Sequence, residues 1–151
     1  METAVICISS ALAITSGRAA AAIRTTGDLD RCIAPAVPEF QSHKILAKIY
    51  QALRIEVNHE MRSLEKFLSG ASEALLPGGR LVVITYHSLE DRMVKNFIQS
   101  GNVDGEVEKD VFGRSVQPLE AVNRKPILPL EEEISENTRA RSAKLRIAVK
   151  R

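Results

Sequence analysis

Several polar residues of the kinds that bind ligands or move protons lie close together near the middle of the 151-residue chain. The apolar run before them, residues 81–86, predicts a β-strand, and the amphipathic pattern after them predicts a helix over residues 88–99. Ligands of open α/β sheets bind beyond the carboxyl ends of the strands. We therefore predict that a functional site includes His87, Ser88, Glu90, Asp91 and Arg92.

Helix capping is a competing explanation for two of these residues. Ser88 and Asp91 match a capping box, in which a serine side chain accepts a hydrogen bond from the third amide of the helix and an acidic side chain reaches back. Asp is shorter than the usual Glu, so the match is imperfect. Capping leaves His87, Glu90 and Arg92 unexplained, and these three still indicate a ligand.

Two familiar chemistries fit the cluster poorly. Adjacent Ser and His side chains do not easily form the hydrogen-bonded line of a Ser-His-acid hydrolase, and a G-x-S-x-G motif is absent. A metal site built from His87, Glu90 and Asp91 would have one nitrogen ligand and no second cluster to complete it. We expect neither a hydrolase nor a metal site.

Two further polar stretches are candidates for function. Arg54 and Asn58 are one helical turn apart and share a face, which is either solvated or partly buried and hydrogen-bonded. Residues 139–151 include six basic residues and no acidic one, directly after an acidic cluster. Such a density of positive charge suits phosphate binding, and a solvated strand face explains it equally well.

The composition describes one ordinary soluble domain. Apolar residues make up 44% and charged residues 26%, whereas aromatic residues make up only 4%, which argues against a platform for stacking bases. Cys7 and Cys32 have no C-x-x-C spacing and predict no disulfide framework, so a reducing, cytoplasmic location is expected. The apolar start of the chain lacks a basic flank and is too short to span a membrane.

The periodicity predicts helices and strands in a mixed order with few strands for the chain length. The unalternating strand at 81–86 is expected to be covered on both faces, as in a parallel sheet. In chain order we predict a helix at 4–23, a short helix ending before Pro35, a helix at 43–76 with a kink near Gly70, the strand at 81–86, the helix at 88–99, an exposed excursion at 100–121, a short strand at 126–129 and a strand at 144–150.

Three of these stretches together resemble the C-terminal half of the MraW/RsmH family. Members of this family are S-adenosylmethionine-dependent methyltransferases that act on the N4 amine of a cytidine in bacterial 16S rRNA. The resemblance runs from about residue 18 to the end, and the segments that carry it are 50–58 (YQALRIEVN), 77–81 (PGGRL) with 87–92 (HSLEDR), and 139–146 (RARSAKLR). Residues 125–127 and 131–134 fit the same family in the same order.

The resemblance implies an α/β fold with part of a class I, Rossmann-like methyltransferase sheet, namely its last three strands, plus part of a helical insertion. Residues 1–17 match poorly, 18–45 would belong to the RNA-facing insertion, and 46–151 to the C-terminal part of the methyltransferase domain. The family's Gly-rich loop for S-adenosylmethionine is not found in the sequence. We therefore expect a truncated family member that holds no cofactor-binding residues and is inactive alone.

The resemblance also suggests roles for individual residues. Catalytic, base-facing roles fall to Asn58, His87, Ser88, Glu90 and Asp91, and contacts with RNA to Arg54, Arg92, Arg139, Arg141 and Lys144. The expected partner is 16S rRNA in the small ribosomal subunit, and either a homodimer or a complementing N-terminal fragment would complete the protein. The alternatives are a non-catalytic RNA-binding module and an inactive gene remnant with an aggregation-prone strand edge.

Overall fold

The computed structural model describes residues 2–107 and 117–151, with side chains from residue 9 onward. The chain divides into two compact units, Met1–His59 and Glu60–Arg151. The functional division into residues 1–17, 18–45 and 46–151 stays a prediction.

The first unit is helical. It contains α1 (Glu2–Ala20), α2 (Thr26–Ile33), two short 3-10 helices (Ala34–Ala36 and Glu39–Gln41) and α3 (Ser42–Val57). The predicted first helix and the short helix that ends before Pro35 are confirmed. Across the described part of the chain, every helix is too short or too polar to cross a membrane.

Helix α2 begins at a capping box formed by Thr25 and Asp28. The Asp28 amide donates to the Thr25 hydroxyl over 3.1 Å, and the Thr25 amide donates to the Asp28 carboxylate over 2.9 Å. Hydrogen bonds from the Arg24 amide and from Thr25 lower the pKa of Asp28 below its ordinary value. The Tyr50 hydroxyl on α3 donates to Asp30 over 2.7 Å, which joins α3 to α2 and raises the pKa of Tyr50.

The long predicted helix is divided at residues 58–59, and the predicted kink near Gly70 is wrong. Helix α3 ends at Val57, and α4 spans Glu60–Ala74 with Gly70 inside it. His59 lies in the left-handed region with a φ of 52°, where a non-glycine residue is strained and an α-helix cannot continue.

The second unit contains a three-stranded sheet among its described residues. Its strands are β1 (Arg80–Thr85), β2 (Leu119–Ala121) and β3 (Lys144–Lys150), in the order β1-β3-β2, and β3 is antiparallel to both neighbours. The chain therefore has an α/β fold, although the sheet as described is antiparallel. The other elements of this unit are α4, α5 (Ser88–Ser100), α6 (Glu131–Glu136) and a 3-10 helix at Thr138–Ser142.

Two strand predictions require correction. The segment 126–129 forms only an isolated bridge between Ile127 and Leu145, because its flanking prolines lack the amide hydrogen that a ladder needs. Strand β2 instead lies within the predicted excursion at 100–121, where Leu119 is fully buried. Residues 108–116 of that excursion lie outside the described residues.

The hydrophobic core of this unit lies between the sheet and helices α4 and α5. Along β1 the residues alternate between buried and exposed, so the predicted cover on both faces is not seen among the described residues. Val82 and Ile84 are 53% and 54% exposed. The core consists of Leu68, Leu81, Val83, Val94, Phe97, Ile98, Leu119 and Ala148.

Candidate functional site

The polar cluster lies where β1 ends and α5 begins, as the sequence predicts, but the cap is shifted by one residue. The N-cap residue is His87, whose Nδ1 accepts a hydrogen bond from the Glu90 amide over 3.3 Å. The predicted Ser88–Asp91 capping box is wrong. Ser88 is the exposed first residue of the helix, and Asp91 has partners on another strand.

Glu90 completes this cap from the other side. Its Oε2 accepts hydrogen bonds from the backbone amides of Tyr86, over 2.9 Å, and His87, over 3.3 Å. A carboxylate in the first turn also interacts favourably with the positive end of the helix dipole. Glu90 and the His87 ring are thus held by the backbone before any substrate is present.

A third side chain, Glu60, completes a cluster with His87 and Glu90. One ligand-type atom from each of the three residues lies within 4.8 Å of the other two, and all three residues are partly buried. His87 Nε2 lies 3.2 Å from Glu90 Oε1, yet this buried nitrogen makes no hydrogen bond of good geometry to the described residues. Sequence inspection missed Glu60, because nothing local links the start of α4 to the end of β1.

The hydrogen bond to His87 Nδ1 determines what this cluster can do. A ring nitrogen that accepts an amide hydrogen bond carries no proton, so the proton of the neutral ring lies on Nε2. Two carboxylates and one imidazole are ligands that zinc and similar metals use. A metal on Nε2 would need the proton to move to Nδ1, which would remove the helix cap. The arrangement therefore favours an N–H donor facing carboxylate oxygens.

A second cluster surrounds Asp91. Arg146 donates to it twice, from Nε over 2.7 Å and from Nη2 over 3.2 Å, and Lys144 Nζ lies 3.3 Å from Oδ2. Burial alone would raise the pKa of Asp91, but the hydrogen bonds and charges of Arg146 and Lys144 outweigh it and lower that pKa below its ordinary value. Both Asp91 oxygens are occupied, and Arg146 was not among the predicted site residues.

The remaining predicted site residues are exposed. Arg92 lies on α5, and Arg139 and Arg141 lie in the 3-10 helix that Asn137 caps. These three arginines make no ion pair with the described residues. In the first unit, Arg54 is in the last turn of α3 and Asn58 follows as its C-cap, and each has an interaction partner.

The fold and these clusters define an α/β protein in which an imidazole and carboxylates, His87 with Glu60 and Glu90, form a site between the end of β1 and the start of α5. The chain belongs to the MraW methylase family, whose sequence model matches residues 6–151.

Curated relatives named ribosomal RNA small subunit methyltransferase H are similar to the chain over most of its length. The relative from Bacteroides thetaiotaomicron is 55% identical over 141 residues, which are 93% of this chain and 46% of the relative. The relative from Flavobacterium psychrophilum is 51% identical over 144 residues, 95% of this chain and 49% of the relative. The relative from Amoebophilus asiaticus is 49% identical over 137 residues, 91% of this chain and 44% of the relative. The chain thus spans about half the length of these relatives.

Proposed function

We propose that this chain forms the base-facing part of an S-adenosylmethionine-dependent methyltransferase that modifies the N4 amine of a cytidine in 16S rRNA. The observation that carries this proposal is the 55% identity, across 93% of the chain, to a protein named as an rRNA small subunit methyltransferase. The matched region includes the His87–Glu90 site. A cytoplasmic location and the small ribosomal subunit as partner follow from the same proposal.

The sheet supports a partial class I arrangement. Strands β1 and β2 are each antiparallel to β3, so they are parallel to one another with the last strand inserted between them. Sites in α/β sheets lie at the carboxyl ends of such strands, and β1 delivers His87 there. Residues 18–45 are proposed to face the RNA, and residues 46–151 to belong to the methyltransferase domain.

The proposed chemistry depends on positioning. The lone pair of a cytosine amine is delocalised into the ring, so hydrogen-bond acceptors that favour a more pyramidal nitrogen, together with alignment to the methyl donor, would supply most of the rate. Glu90, Asn58 and Ser88 are proposed to lie on the side of the base. Asp91 is proposed to act by orienting α5, since its oxygens are bound to Arg146 and Lys144.

Exposed cations are proposed to hold the RNA around the target base. A base in folded RNA must leave its stack before an enzyme can reach its amine. Phosphate contacts would hold the flanking backbone while this happens. Arg54, Arg92, Arg139 and Arg141 are the proposed contacts, with Lys144 shared between RNA and Asp91.

The methyl donor is proposed to bind to the part of the relatives that lies outside their match with this chain. The family's Gly-rich loop is not found in the 151 residues, and the relatives extend well beyond the aligned region. Accordingly, the 151-residue chain alone should transfer no methyl group. A complementing segment is the favoured partner over a homodimer, because only the former brings the missing loop.

A chimera tests this proposal directly. The chain replaces the matched part of the Bacteroides thetaiotaomicron relative, and the chimera is incubated with unmethylated small subunits and S-adenosylmethionine carrying a labelled methyl group. We expect N4-methylcytidine when the rRNA nucleosides are separated by mass spectrometry. The intact relative is the control. Label on another atom, or a folded chimera with no transfer where the relative is active, would contradict the proposal.

A further inference from the structure

We propose that the Tyr86 ring is the surface on which the target base stacks once it has left its stack in the RNA. This inference rests on the proposed function, since it names the residue that holds the base for that reaction. It begins from a feature that the polar cluster leaves unexplained. Directly beside His87 and Glu90, the side chains of Tyr86 and Leu89 are 58% and 47% exposed.

Apolar and polar groups lie side by side at the start of α5. Tyr86 and Leu89 are apolar and exposed, whereas His87 and Glu90 are polar and partly buried. A nucleobase has the matching character, with two apolar faces and a polar edge. A phosphate group or a metal ion would use the polar groups but not the aromatic ring. The combination therefore indicates a flat ring with hydrogen-bonding groups at its edge.

Backbone interactions on both sides of Tyr86 fix the direction in which its side chain leaves the chain. The Tyr86 amide donates to Glu90 Oε2 over 2.9 Å, and His87, the next residue, is the N-cap of α5. On the other side, Thr85 is buried and paired with Lys144 in the sheet. Because a tyrosine side chain has only two χ angles, a ring on such a backbone is ordered at little cost in conformational entropy.

Tyr86 has few rivals for this role. Among the described residues of the second unit, the aromatic side chains are Phe67, Tyr86 and Phe97. Phe97 is 5% exposed and belongs to the core, and Phe67 is 51% exposed but lies two helical turns into α4. The low aromatic content argues against a platform that stacks several bases, but one extruded base needs only one ring.

Stacking on Tyr86 would offset part of the cost of extracting the base. Enzymes that act on a base must first unstack it, and they hold the extruded base between aromatic or apolar side chains. One such stack changes the affinity for the nucleic acid about 10-fold. With its face on the Tyr86 ring, the base presents its edge, including the N4 amine, to the polar groups. Tyr86 thus positions the base and takes no part in bond making.

The adenine ring of S-adenosylmethionine has the same stacking chemistry as the RNA base. The RNA base is the favoured occupant, because His87 and Glu90 are proposed to face it and the methyl donor is proposed to bind to the part of the relatives outside their match with this chain. The two occupants differ in the constant that they affect. A ring that stacks the RNA base changes kcat/KM for the RNA substrate and leaves the KM for S-adenosylmethionine unchanged.

The first test uses the chimera with single substitutions. Tyr86→Leu keeps an apolar side chain but removes the aromatic face, and we expect kcat/KM for the small subunit to fall about 10-fold with an unchanged KM for S-adenosylmethionine. Tyr86→Phe keeps the ring and should retain the activity. Phe67→Leu removes an aromatic ring of similar exposure from the same unit, so it is the matched control and should leave both constants unchanged.

Removal of the target base separates stacking from a structural effect. Binding is measured for 16S rRNA that carries either cytidine or an abasic site at the target position. Tyr86→Leu should bind the cytidine RNA about 10-fold more weakly than the unsubstituted chimera does. The two proteins should bind the abasic RNA equally well, because no base is left to stack. A structural effect of the substitution would weaken binding of both RNAs.

Three results would overturn the inference. The first is an unchanged kcat/KM for Tyr86→Leu, and the second is an equal loss of affinity for the cytidine and abasic RNAs in that variant. The third is a rise in the KM for S-adenosylmethionine alone, because it would assign the Tyr86 ring to the methyl donor. Failure of the proposed function is distinguishable, since the unsubstituted chimera would then form no N4-methylcytidine.

Discussion

Asp91 and Arg146 are joined by two hydrogen bonds, Nε to Oδ1 over 2.7 Å and Nη2 to Oδ2 over 3.2 Å, although 55 residues separate them in the chain. Each side chain is only 11% exposed. The pair connects the first turn of α5 to strand β3, and so fixes the helix that His87 caps relative to the sheet. Because the ion pair is bidentate and largely shielded from water, we expect it to stabilise the fold more than an ordinary surface ion pair does.

Removal of Arg146 should therefore be costly. Arg146→Ala leaves the Asp91 charge buried with only Lys144 beside it, and we expect a loss of about 3 kcal/mol in the free energy of unfolding. Lys144→Ala removes the more exposed partner and should cost less than about 1 kcal/mol. Urea unfolding followed by circular dichroism measures both. Equal losses in the free energy of unfolding for the two variants would show that the bidentate Asp91–Arg146 pair stabilises the fold no more than the contact with Lys144 does.

Asp91 should also make the free energy of unfolding depend on pH in the acid range. Its pKa is lowered in the folded chain, so its contribution is fully present above the unfolded pKa of about 4 and is lost as pH falls through the lower folded value. We expect the free energy of unfolding to fall more steeply between pH 5 and 3, roughly, for the wild type than for Asp91→Asn. Glu65→Gln, which removes an exposed carboxylate from the same unit, is the control. Parallel pH curves for wild type and Asp91→Asn would contradict the assignment.

Local signals made part of this fold predictable from sequence. The short helix that ends before Pro35 and the strand predicted at 81–86 are both present, at Thr26–Ile33 and Arg80–Thr85, because their signals lie within a few neighbouring residues. The cap of α5 was placed one residue late because Ser88–Asp91 and His87–Glu90 have the same spacing. What decides between them is non-local, since Arg146 and Lys144 occupy the Asp91 carboxylate.

The same limit applies to the candidate site. His87 and Glu90 were predicted, whereas Glu60 and Arg146 were not, because each reaches the site through tertiary folding. Strand β2 was missed for a similar reason: the short segment 119–121 is apolar only at its ends, and it is paired because β3 lies beside it. The break at 58–59 depends on the left-handed backbone of His59, a conformation that histidine adopts more often than most residues but still rarely, so the residue type alone does not mark the break.

Exposed arginines near the C-terminus should contribute affinity for RNA. We expect Arg139→Ala combined with Arg141→Ala to weaken binding of 16S rRNA to the chimera and to reduce the slope of log affinity against log salt by about 2. Arg62→Ala combined with Lys66→Ala removes the same charge from the exposed face of α4 and is the matched control. If both double variants lower the slope equally, net charge rather than a defined contact explains the binding.

The exposed face of β1 should make the isolated chain associate. Val82 and Ile84 are half exposed on the strand that also forms one edge of the described sheet. Apolar side chains at an unpaired edge favour self-association, so the chain alone should bind a hydrophobic dye and sediment as more than a monomer.

Val82→Thr with Ile84→Thr keeps the β-branched shape and should reduce both signals. Leu128→Thr, at an exposed apolar residue outside the three strands, should not. A monomeric wild-type chain that binds no dye would exclude the edge as a source of association.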